Sequence, residues 1–302
     1  MRLVSLTTPV LIIAYRRQDT TRKVLDILRQ VKPQRLYVAC NAPCPDRPEE
    51  VLQCVEVRSL FNEPGLASEV RCLFREKHLS ARESISGAIS WFFEHEQQGI
   101  ILEDDCVPSL SFFRFAEELL NRYADDQRVG MISGNNFQFG LRRGEASYYF
   151  SQYCHIWGWA TWRDRWATYD VTMHLWPELC EEVLGGLEST LQRAYWGNIF
   201  DRTYSANIDT WDYQWLFSNW INHRINVVPQ ENMVSNIGFG SQASHTRNLT
   251  RVANLPVHEL HFPLQHPNVC LPDREADRYT FKACYQPSLS GMVRYALRKI
   301  GL

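Results

Sequence analysis

Apolar and polar positions in the first hundred residues follow two alternating periods. Residues 10–15 form a continuous apolar run that predicts a buried strand, and residues 20–31 repeat apolar side chains at helical spacing. The same signals recur further along, with predicted strands at 35–40, 70–74 and 100–102 and predicted helices at 49–60 and 84–94. Strands that alternate with helices predict an α/β fold, in which a mostly parallel sheet carries helices on both faces.

Three loops follow predicted strands at one edge of this sheet. They begin after Tyr15, after Cys40 and after Leu102, and two prolines end the second strand near Asn41. Parallel sheets bind their ligands beyond the carboxyl ends of the strands. We therefore expect the functional residues in these loops.

From about residue 136 the pattern changes, because regular strand and helix signals give way to glycine and dense aromatic residues. Nine of the ten tryptophans lie within residues 157–220. Near residue 250 the pattern changes again, and prolines and histidines become frequent. We predict one domain at 1–250, built from two halves at 1–135 and 136–250, and a C-terminal extension at 251–302.

Composition and charge narrow the class of protein. The chain has 302 residues, of which 45% are hydrophobic and 22% charged, and this balance is typical of a globular protein. A net charge of -2 offers no positive field to a nucleic-acid backbone, so we expect no nucleic-acid partner. The longest apolar run near the start is far shorter than the roughly 20 residues that a membrane-spanning helix needs. Nine irregularly spaced cysteines suit a reducing compartment, so we predict a cytoplasmic protein.

Three consecutive acids, Glu103, Asp104 and Asp105, directly follow the predicted strand at 100–102. Clustered carboxylates repel one another unless a cation lies among them. Mg²⁺ or Mn²⁺ suits such oxygen ligands, with one or two carboxylates and a substrate diphosphate in its shell. The alternative is an acidic turn that caps the next helix, but Ser109 or Ser111 can supply that cap, so we favour the metal site.

The strand, the three acids and the segment that follows them resemble the metal motif of GT-A fold glycosyltransferases. The motif has the form seen in N-acetylglucosaminyltransferase I and in bacterial sugar transferases described as hemolytic-protein-like. Other segments of the chain agree with the bacterial group, and they are VLIIAYRR at 10–17, WGWATWR at 157–163, TWDYQW at 210–215, NIGFG at 236–240 and SHT at 244–246. The resemblance covers roughly residues 8–250. It implies a GT-A, Rossmann-like fold with a nucleotide-sugar half and an acceptor half.

The resemblance also implies roles for the residues of the metal motif. Asp105 is expected to ligate the metal, while Glu103 and Asp104 position it or hold the nucleotide ribose. Asn41 stands where such enzymes read the base, often with Asp, so the identity of the base stays open. His245 is a further candidate metal ligand.

Other candidate contacts with the nucleotide sugar lie in two loops. Tyr15 and Arg16 follow the first strand, where either Arg16 or Arg17 can pair with a diphosphate. Arg82 lies in a loop that usually reads Asn-Leu-Gly in the family, and this chain departs from that pattern.

Sugar transfer with inversion needs a base beside the acceptor hydroxyl. Asp212 is the best candidate, because its aromatic neighbours partly desolvate a carboxylate, and Asp209 is the alternative on a predicted helix at 209–222. Trp157, Trp159 and Trp211 are predicted to contact the acceptor. Tryptophan clusters are as often part of a core, so that alternative stays open.

The leading hypothesis is a metal-dependent glycosyltransferase that moves a sugar from a nucleotide diphosphate, UDP in the first instance, to a glycan or lipid-linked glycan. A sugar-1-phosphate nucleotidyltransferase is a second possibility, although it would carry glycines in the first loop. A noncatalytic sugar-binding or nucleotide-binding protein is the third. Residues 288–302 have the pattern of a basic amphipathic helix, which either contacts the inner face of the cytoplasmic membrane or packs on the domain.

Overall fold

A computed structural model describes residues 6–239 and 251–286 of the chain. The strands, in chain order, are β1 (Val10–Ala14), β2 (Arg35–Cys40), β3 (Glu69–Phe74), β4 (Gln98–Glu103), β5 (Cys106–Pro108), β6 (Val129–Ser133), β7 (Tyr148–Ser151), β8 (Trp159–Trp162), β9 (Ile225–Pro229) and β10 (Val234–Asn236). The helices are α1 (Gln18–Val31), α2 (Glu49–Leu60), α3 (Ala81–His95), α4 (Leu110–Arg122), α5 (Arg163–Trp166), α6 (Trp176–Gly185), α7 (Thr190–Tyr204), α8 (Asp212–Ile221) and α9 (Arg274–Thr280). A π-helical turn at Phe281–Tyr285 continues α9.

One large sheet organises the fold, with the strand order β3-β2-β1-β4-β8-β6-β9-β7. Six of these eight strands run in the same direction, and β8 and β7 run against them. The predicted α/β class with a mostly parallel sheet is confirmed, and this architecture is consistent with a GT-A fold. Strand β8 comes from the aromatic half of the sequence and lies between β4 and β6, so both predicted halves share this sheet.

The two faces of the sheet carry separate apolar clusters, as expected for strands that are buried on both sides. Val10 and Ile12 of β1 face a cluster with α1, α2 and α4. Leu11 and Ile13 face the opposite cluster, which contains α3 and the start of α8. The continuous apolar run of β1 therefore reflects burial on both faces. A third cluster, built mainly of aromatic residues, joins α6, α7 and α8.

The segment at 251–286 packs against the rest of the domain and contacts several of its helices. Leu264 lies in the main core, and Phe281 lies in the helical cluster of α6 to α8. The Glu259 carboxylate accepts hydrogen bonds from the first N–H groups of α4, at 2.8 and 3.1 Å. The expectation that Ser109 or Ser111 caps α4 was therefore wrong, because a carboxylate about 150 residues away in sequence takes this position.

Most predicted elements lie within a few residues of the observed ones, and the informative difference is the start of the helix predicted at 209–222. The observed helix begins at Asp212. Asp209 lies outside it, and its carboxylate accepts the N–H groups of Ala81 and Arg82 at the start of α3, at 3.0 and 3.1 Å. The helix predicted at 288–302 and His245 fall outside the described residues. Within the described ranges no helix is both long enough and apolar enough to cross a membrane.

Asp277 on α9 provides a pH test of this packing. Burial raises the pKa of its carboxyl from 3.8 to about 7, although Ser151 Oγ and the Gln152 N–H donate to it. The proton stabilises the fold fully below about pH 4, and this contribution is lost as the pH rises to about 7. We expect the free energy of unfolding of Asp277→Asn, relative to wild type, to rise by about 1.4 kcal/mol per pH unit across that window.

Urea denaturation between pH 4 and 8 measures this difference. Asp125→Asn, which changes an exposed carboxylate, is the matched control and should show no such trend. A pH-independent difference between Asp277→Asn and wild type would mean that the native carboxyl is already ionised at pH 4.

Candidate functional site

The three predicted acids lie at the carboxyl end of β4, near the middle of the sheet. Glu103 ends the strand and pairs with Ile13 of β1, and the Asp104 N–H donates to the Ile13 carbonyl at 2.9 Å. Asp104 and Asp105 are buried, with 2% and 8% of their surface exposed, and Glu103 is half-buried. The end of β1 therefore fixes the backbone of the acidic cluster against the sheet.

Arg17, in the loop after β1, is the counterion of two of these acids. One guanidinium nitrogen, Nη2, bonds both Asp104 Oδ1 and Asp105 Oδ2, the second at 2.8 Å. The Tyr15 N–H donates to the other oxygen of Asp104 at 3.1 Å. Burial disfavours the charged guanidinium, but the two carboxylates raise the pKa of Arg17 well above its usual value.

The cluster carries more negative charge than Arg17 balances. Burial raises the pKa of Glu103 to about 8, and the charges of Asp105 and Asp104 act in the same direction. Burial also raises the pKa of Asp104 to about 6, against the effect of Arg17. The Glu103 carboxylate accepts no hydrogen bond from the described residues. Three acids beside one guanidinium therefore form a site that favours additional positive charge.

A glycine brings another loop directly over the Asp105–Arg17 pair. Gly238 follows β10, which pairs with β5 just after the acids, and the Ile237 N–H donates to the Asp105 carbonyl at 2.9 Å. A Cβ atom at position 238 would overlap Asp105 Oδ2 and would lie 2.6 Å from Arg17 Nη1. The NIGFG segment therefore needs glycine at 238 because its backbone packs on the ion pair.

The donor atoms of this cluster are of the type that binds Mg²⁺ or Mn²⁺, since they are carboxylate oxygens. Within residues 6–239 and 251–286, no group of three or more His, Cys, Asp or Glu side chains is arranged to hold a metal. The acids therefore fit a divalent cation only if a substrate and water complete its shell. Metal ligation by Asp105 and His245 stays a prediction, and His245 lies outside the described residues.

A second group of side chains surrounds the loop after β1 and is organised by Glu50 of α2. Glu50 is fully buried and accepts the Tyr15 hydroxyl and the Cys44 N–H, the latter at 3.1 Å. Its other oxygen lies 3.4 Å from Arg16 Nε. Arg47 Nη1 donates to the same oxygen at 3.2 Å. Burial opposes ionisation of Glu50, but these donors hold its pKa below the usual value. Arg16 thus pairs with Glu50 in this structure, where the sequence predicted a diphosphate contact.

Glu50 is a residue that the sequence reasoning missed. The sequence did contain a signal for Glu50, because it shares one helical face with three apolar residues. These are Cys54, Val57 and Leu60, which are all buried. An acid on an apolar helix face indicates a buried partner. The partner, Tyr15, also lies near His78, with 5.8 Å between ring centroids. The two rings lie beside the carboxyl ends of β1 and β2, where the sequence analysis expects the base of the nucleotide to bind.

Asn41 ends the second strand as predicted, but its amide is committed to the backbone of another loop. Its Nδ2 donates to the Leu79 carbonyl at 2.8 Å, and its Oδ1 accepts the N–H groups of Leu79 and Ala42 at 3.1 and 3.0 Å. Asn41 therefore fixes the position of the loop before α3. Only the second Nδ2 hydrogen of Asn41 is left to donate a hydrogen bond to a nucleotide base.

Asp212 and Arg82 belong to the segments around the starts of α8 and α3. Asp212 is half-buried and accepts the Thr210 hydroxyl, and its charge acts on the pKa of Glu103. Arg82 donates to the Ile208 carbonyl at 2.7 Å, in the loop that leads to α8. Burial raises the pKa of Tyr169, the charge of Asp212 raises it further, and the charge of Arg82 lowers it. The predicted base therefore lies within electrostatic reach of Glu103.

The three predicted acceptor tryptophans separate into two groups. Trp159 and Trp211 are 1% and 4% exposed, and their rings stack at 5.6 Å in the core under the sheet. The prediction that Trp159 and Trp211 contact the acceptor was wrong, because the core encloses both rings. Trp157 is half-buried and contacts Phe239, which follows Gly238. Trp157 therefore remains at the rim of the acidic site.

The close approach at Gly238 yields a stability prediction. We expect Gly238→Ala to lower the free energy of unfolding by about 1–3 kcal/mol, because the added methyl group must displace Asp105 or Arg17. Urea denaturation measures the change. Gly185→Ala on α6, where an added Cβ meets no atom within 4 Å, is the matched control and should not destabilise. Equal stability of Gly238→Ala and wild type would mean that this loop does not pack on the ion pair.

Comparisons with known proteins give only distant similarities. No protein-family model and no curated protein sequence matches the chain. The apo form of the glycosyltransferase GlyE from Streptococcus pneumoniae is similar with a TM-score of 0.30 and 12% identity, over 73% of this chain and 44% of GlyE. A 4-diphosphocytidyl-2C-methyl-D-erythritol synthase from Anaerococcus prevotii has a TM-score of 0.26 and 11% identity, over 72% of this chain and 97% of the synthase. The chain spans less than half of the GlyE structure, and similarities at this level carry no argument about its activity.

Proposed function

We propose that this chain is a glycosyltransferase that moves a sugar from a nucleotide-diphosphate donor to a hydroxyl group of a glycan or lipid-linked glycan. The observation that carries the proposal is the cluster of three buried or half-buried acids beside Arg17 at the carboxyl end of β4. The order of the surrounding motifs, which resembles GT-A glycosyltransferases, supports the same activity. A UDP-linked donor and a cytoplasmic location belong to the proposal.

The excess negative charge of the site supports a divalent cation as part of this function. Asp105 would hold Mn²⁺ or Mg²⁺, with Glu103 and Asp104 beside it, and a bound cation stabilises the charge that develops on a departing diphosphate. Arg17 remains the counterion of Asp104. The Tyr15 ring, held by Glu50, and the loop held by Asn41 form the walls of the nucleotide end of the site.

Asp212 is the proposed base for an inverting transfer. Its half-buried carboxylate is near enough to raise the pKa of Glu103, and the Thr210 hydroxyl fixes the position of one of its oxygens. Asp209 is a weaker candidate, because both of its oxygens accept N–H groups at the start of α3. Trp157 is the proposed contact for the acceptor sugar at the rim of the site.

One experiment separates this proposal from the two other classes. The protein is incubated with UDP-, GDP- or dTDP-sugars, with and without Mn²⁺, and release of nucleoside diphosphate is measured. A glycosyltransferase releases nucleoside diphosphate from the donor, and this release increases with an acceptor. A parallel incubation with a nucleoside triphosphate and a sugar 1-phosphate detects a nucleotidyltransferase, which releases pyrophosphate. A noncatalytic protein releases neither product and shows only a thermal shift when its ligand is added.

For Asp105→Ala we expect loss of the Mn²⁺-dependent increase in melting temperature that UDP-sugars produce, because a carboxylate ligand is removed. The variant should remain folded, since Asp104 keeps its bond to Arg17. Asp125→Ala, which removes an exposed acid, is the matched control. An unchanged Mn²⁺-dependent shift in Asp105→Ala would contradict its role as a ligand.

For Asp212→Asn we expect donor binding to be retained and the transfer rate to fall by roughly 10²-fold or more, the usual effect of losing a general base. Asp209→Asn should keep nearly full transfer, because that side chain serves the start of α3. Steady-state rates with saturating donor compare the two variants. Wild-type turnover in Asp212→Asn, or a loss of this size in Asp209→Asn alone, would assign the base to another residue.

A further inference from the structure

The loops that follow β1, β2 and β3 meet at one histidine. His78 is exposed and lies in the loop between β3 and α3. Its Nδ1 atom lies 2.9 Å from the carbonyl oxygen of Ala42, which follows β2, and 3.4 Å from the hydroxyl oxygen of Tyr15, which follows β1. The three strands run parallel, so His78 lies at the edge of the sheet where ligands bind.

The Tyr15 hydroxyl has a single proton, and Glu50 accepts it. Although burial opposes the ionisation of Glu50, the hydrogen bonds that it accepts lower the pKa of its carboxyl. A carboxylate oxygen only accepts, so the Tyr15 proton lies between the two side chains. Burial and Glu50 raise the pKa of Tyr15 well above its usual value, so the hydroxyl keeps its proton. The Tyr15 oxygen can therefore offer His78 only a lone pair.

Both neighbours of His78 Nδ1 are thus acceptors. The Ala42 carbonyl has no proton, and the Tyr15 proton is directed at Glu50. The neutral imidazole therefore carries its one proton on Nδ1, because a bare Nδ1 would face two lone pairs. Nε2 is then an acceptor. No residue within 6–239 or 251–286 bonds to Nε2, so the folded chain presents one lone pair at a fixed position.

Tyr15 also connects this lone pair to the acidic cluster. Its backbone N–H donates to Asp104 at 3.1 Å, and its ring lies 5.8 Å from the His78 ring, measured between centroids. The acids and His78 therefore lie at the two ends of one residue. A nucleoside diphosphate has a matching arrangement, with a charged diphosphate at one end and a flat base at the other. Aromatic rings and side-chain hydrogen bonds to the base edge are the usual means of recognising such a base.

We propose that His78 selects the base of the nucleotide donor by accepting a ring N–H group of that base at Nε2. This inference rests on the proposed function and names its class of donor. Uracil, thymine and guanine carry a ring N–H on the edge that pairs with another base, whereas cytosine and adenine carry a bare ring nitrogen there. A bare nitrogen would place its lone pair against that of Nε2. The site therefore favours UDP over CDP, which is of the same size.

Titration calorimetry with UDP and CDP tests this selection, because the two nucleotides differ only in the hydrogen-bonding edge of the base. It is done with Mn²⁺ at about pH 8.5, where an imidazole is neutral. We expect wild type to bind UDP at least about tenfold more tightly than CDP. His78→Phe keeps a flat ring and removes the acceptor, so its affinities for UDP and CDP should lie within about threefold of each other.

Two further variants separate base selection from a general effect on the loop. His78→Gln retains a polar group that can turn to accept or donate, so it should bind UDP and CDP about equally without losing nucleotide binding. His95→Phe is the matched control. His95 is an exposed histidine at the other end of α3, and its Nδ1 also lies near a backbone carbonyl, that of Trp91, at 3.2 Å. This variant should keep the wild-type preference for UDP.

The outcomes distinguish this inference from the proposed function. Equal binding of UDP and CDP by wild type, or an unchanged preference in both His78 variants, overturns the role of His78. The proposed function stands in that case if wild type still releases nucleoside diphosphate from a sugar donor. Absence of both nucleotide binding and donor cleavage overturns the two proposals together.

The proton position can also be measured without a ligand. Nitrogen NMR of the imidazole ring distinguishes a protonated nitrogen from a bare one, and His78→Gln identifies the His78 signals by removing them. We expect the proton on Nδ1 in the free protein at about pH 8.5. A proton on Nε2 would make this atom a donor, and the proposed selection of a ring N–H would be wrong.

Discussion

The ion pair of Arg17 with Asp104 and Asp105 is the interaction on which the candidate site depends. Two acids are buried at the end of a central strand, which would strongly disfavour their charged forms without a counterion. The loop after β1 supplies that counterion, and the loop after β10 packs its backbone against the pair at Gly238. Three separate segments of the sequence therefore meet at one group of charges. The third acid, Glu103, remains without a counterion of its own among the described residues, and this imbalance is the physical basis of the proposed cation site.

The large sheet and the position of the acids could be predicted because they follow from local patterns. The apolar runs of β1 and β4 indicate burial on both faces, and acids directly after such a run must lie at a strand end. Partners distant in sequence gave no such signal. Glu259 caps α4, and Asp209 accepts the Ala81 and Arg82 N–H groups at the start of α3, from segments about 150 and 130 residues away. A capping residue is found from sequence only when it lies next to its helix.

The tryptophans show a different limit of sequence reasoning. A dense aromatic segment indicates that large rings will be buried or will bind a ligand, and composition does not separate the two outcomes. Trp159 and Trp211 enter the core because β8 is inserted between β4 and β6 and α8 packs behind it. Trp157, two residues earlier in the chain, stays at the rim of the site. The distinction depends on strand order, which no local pattern encodes.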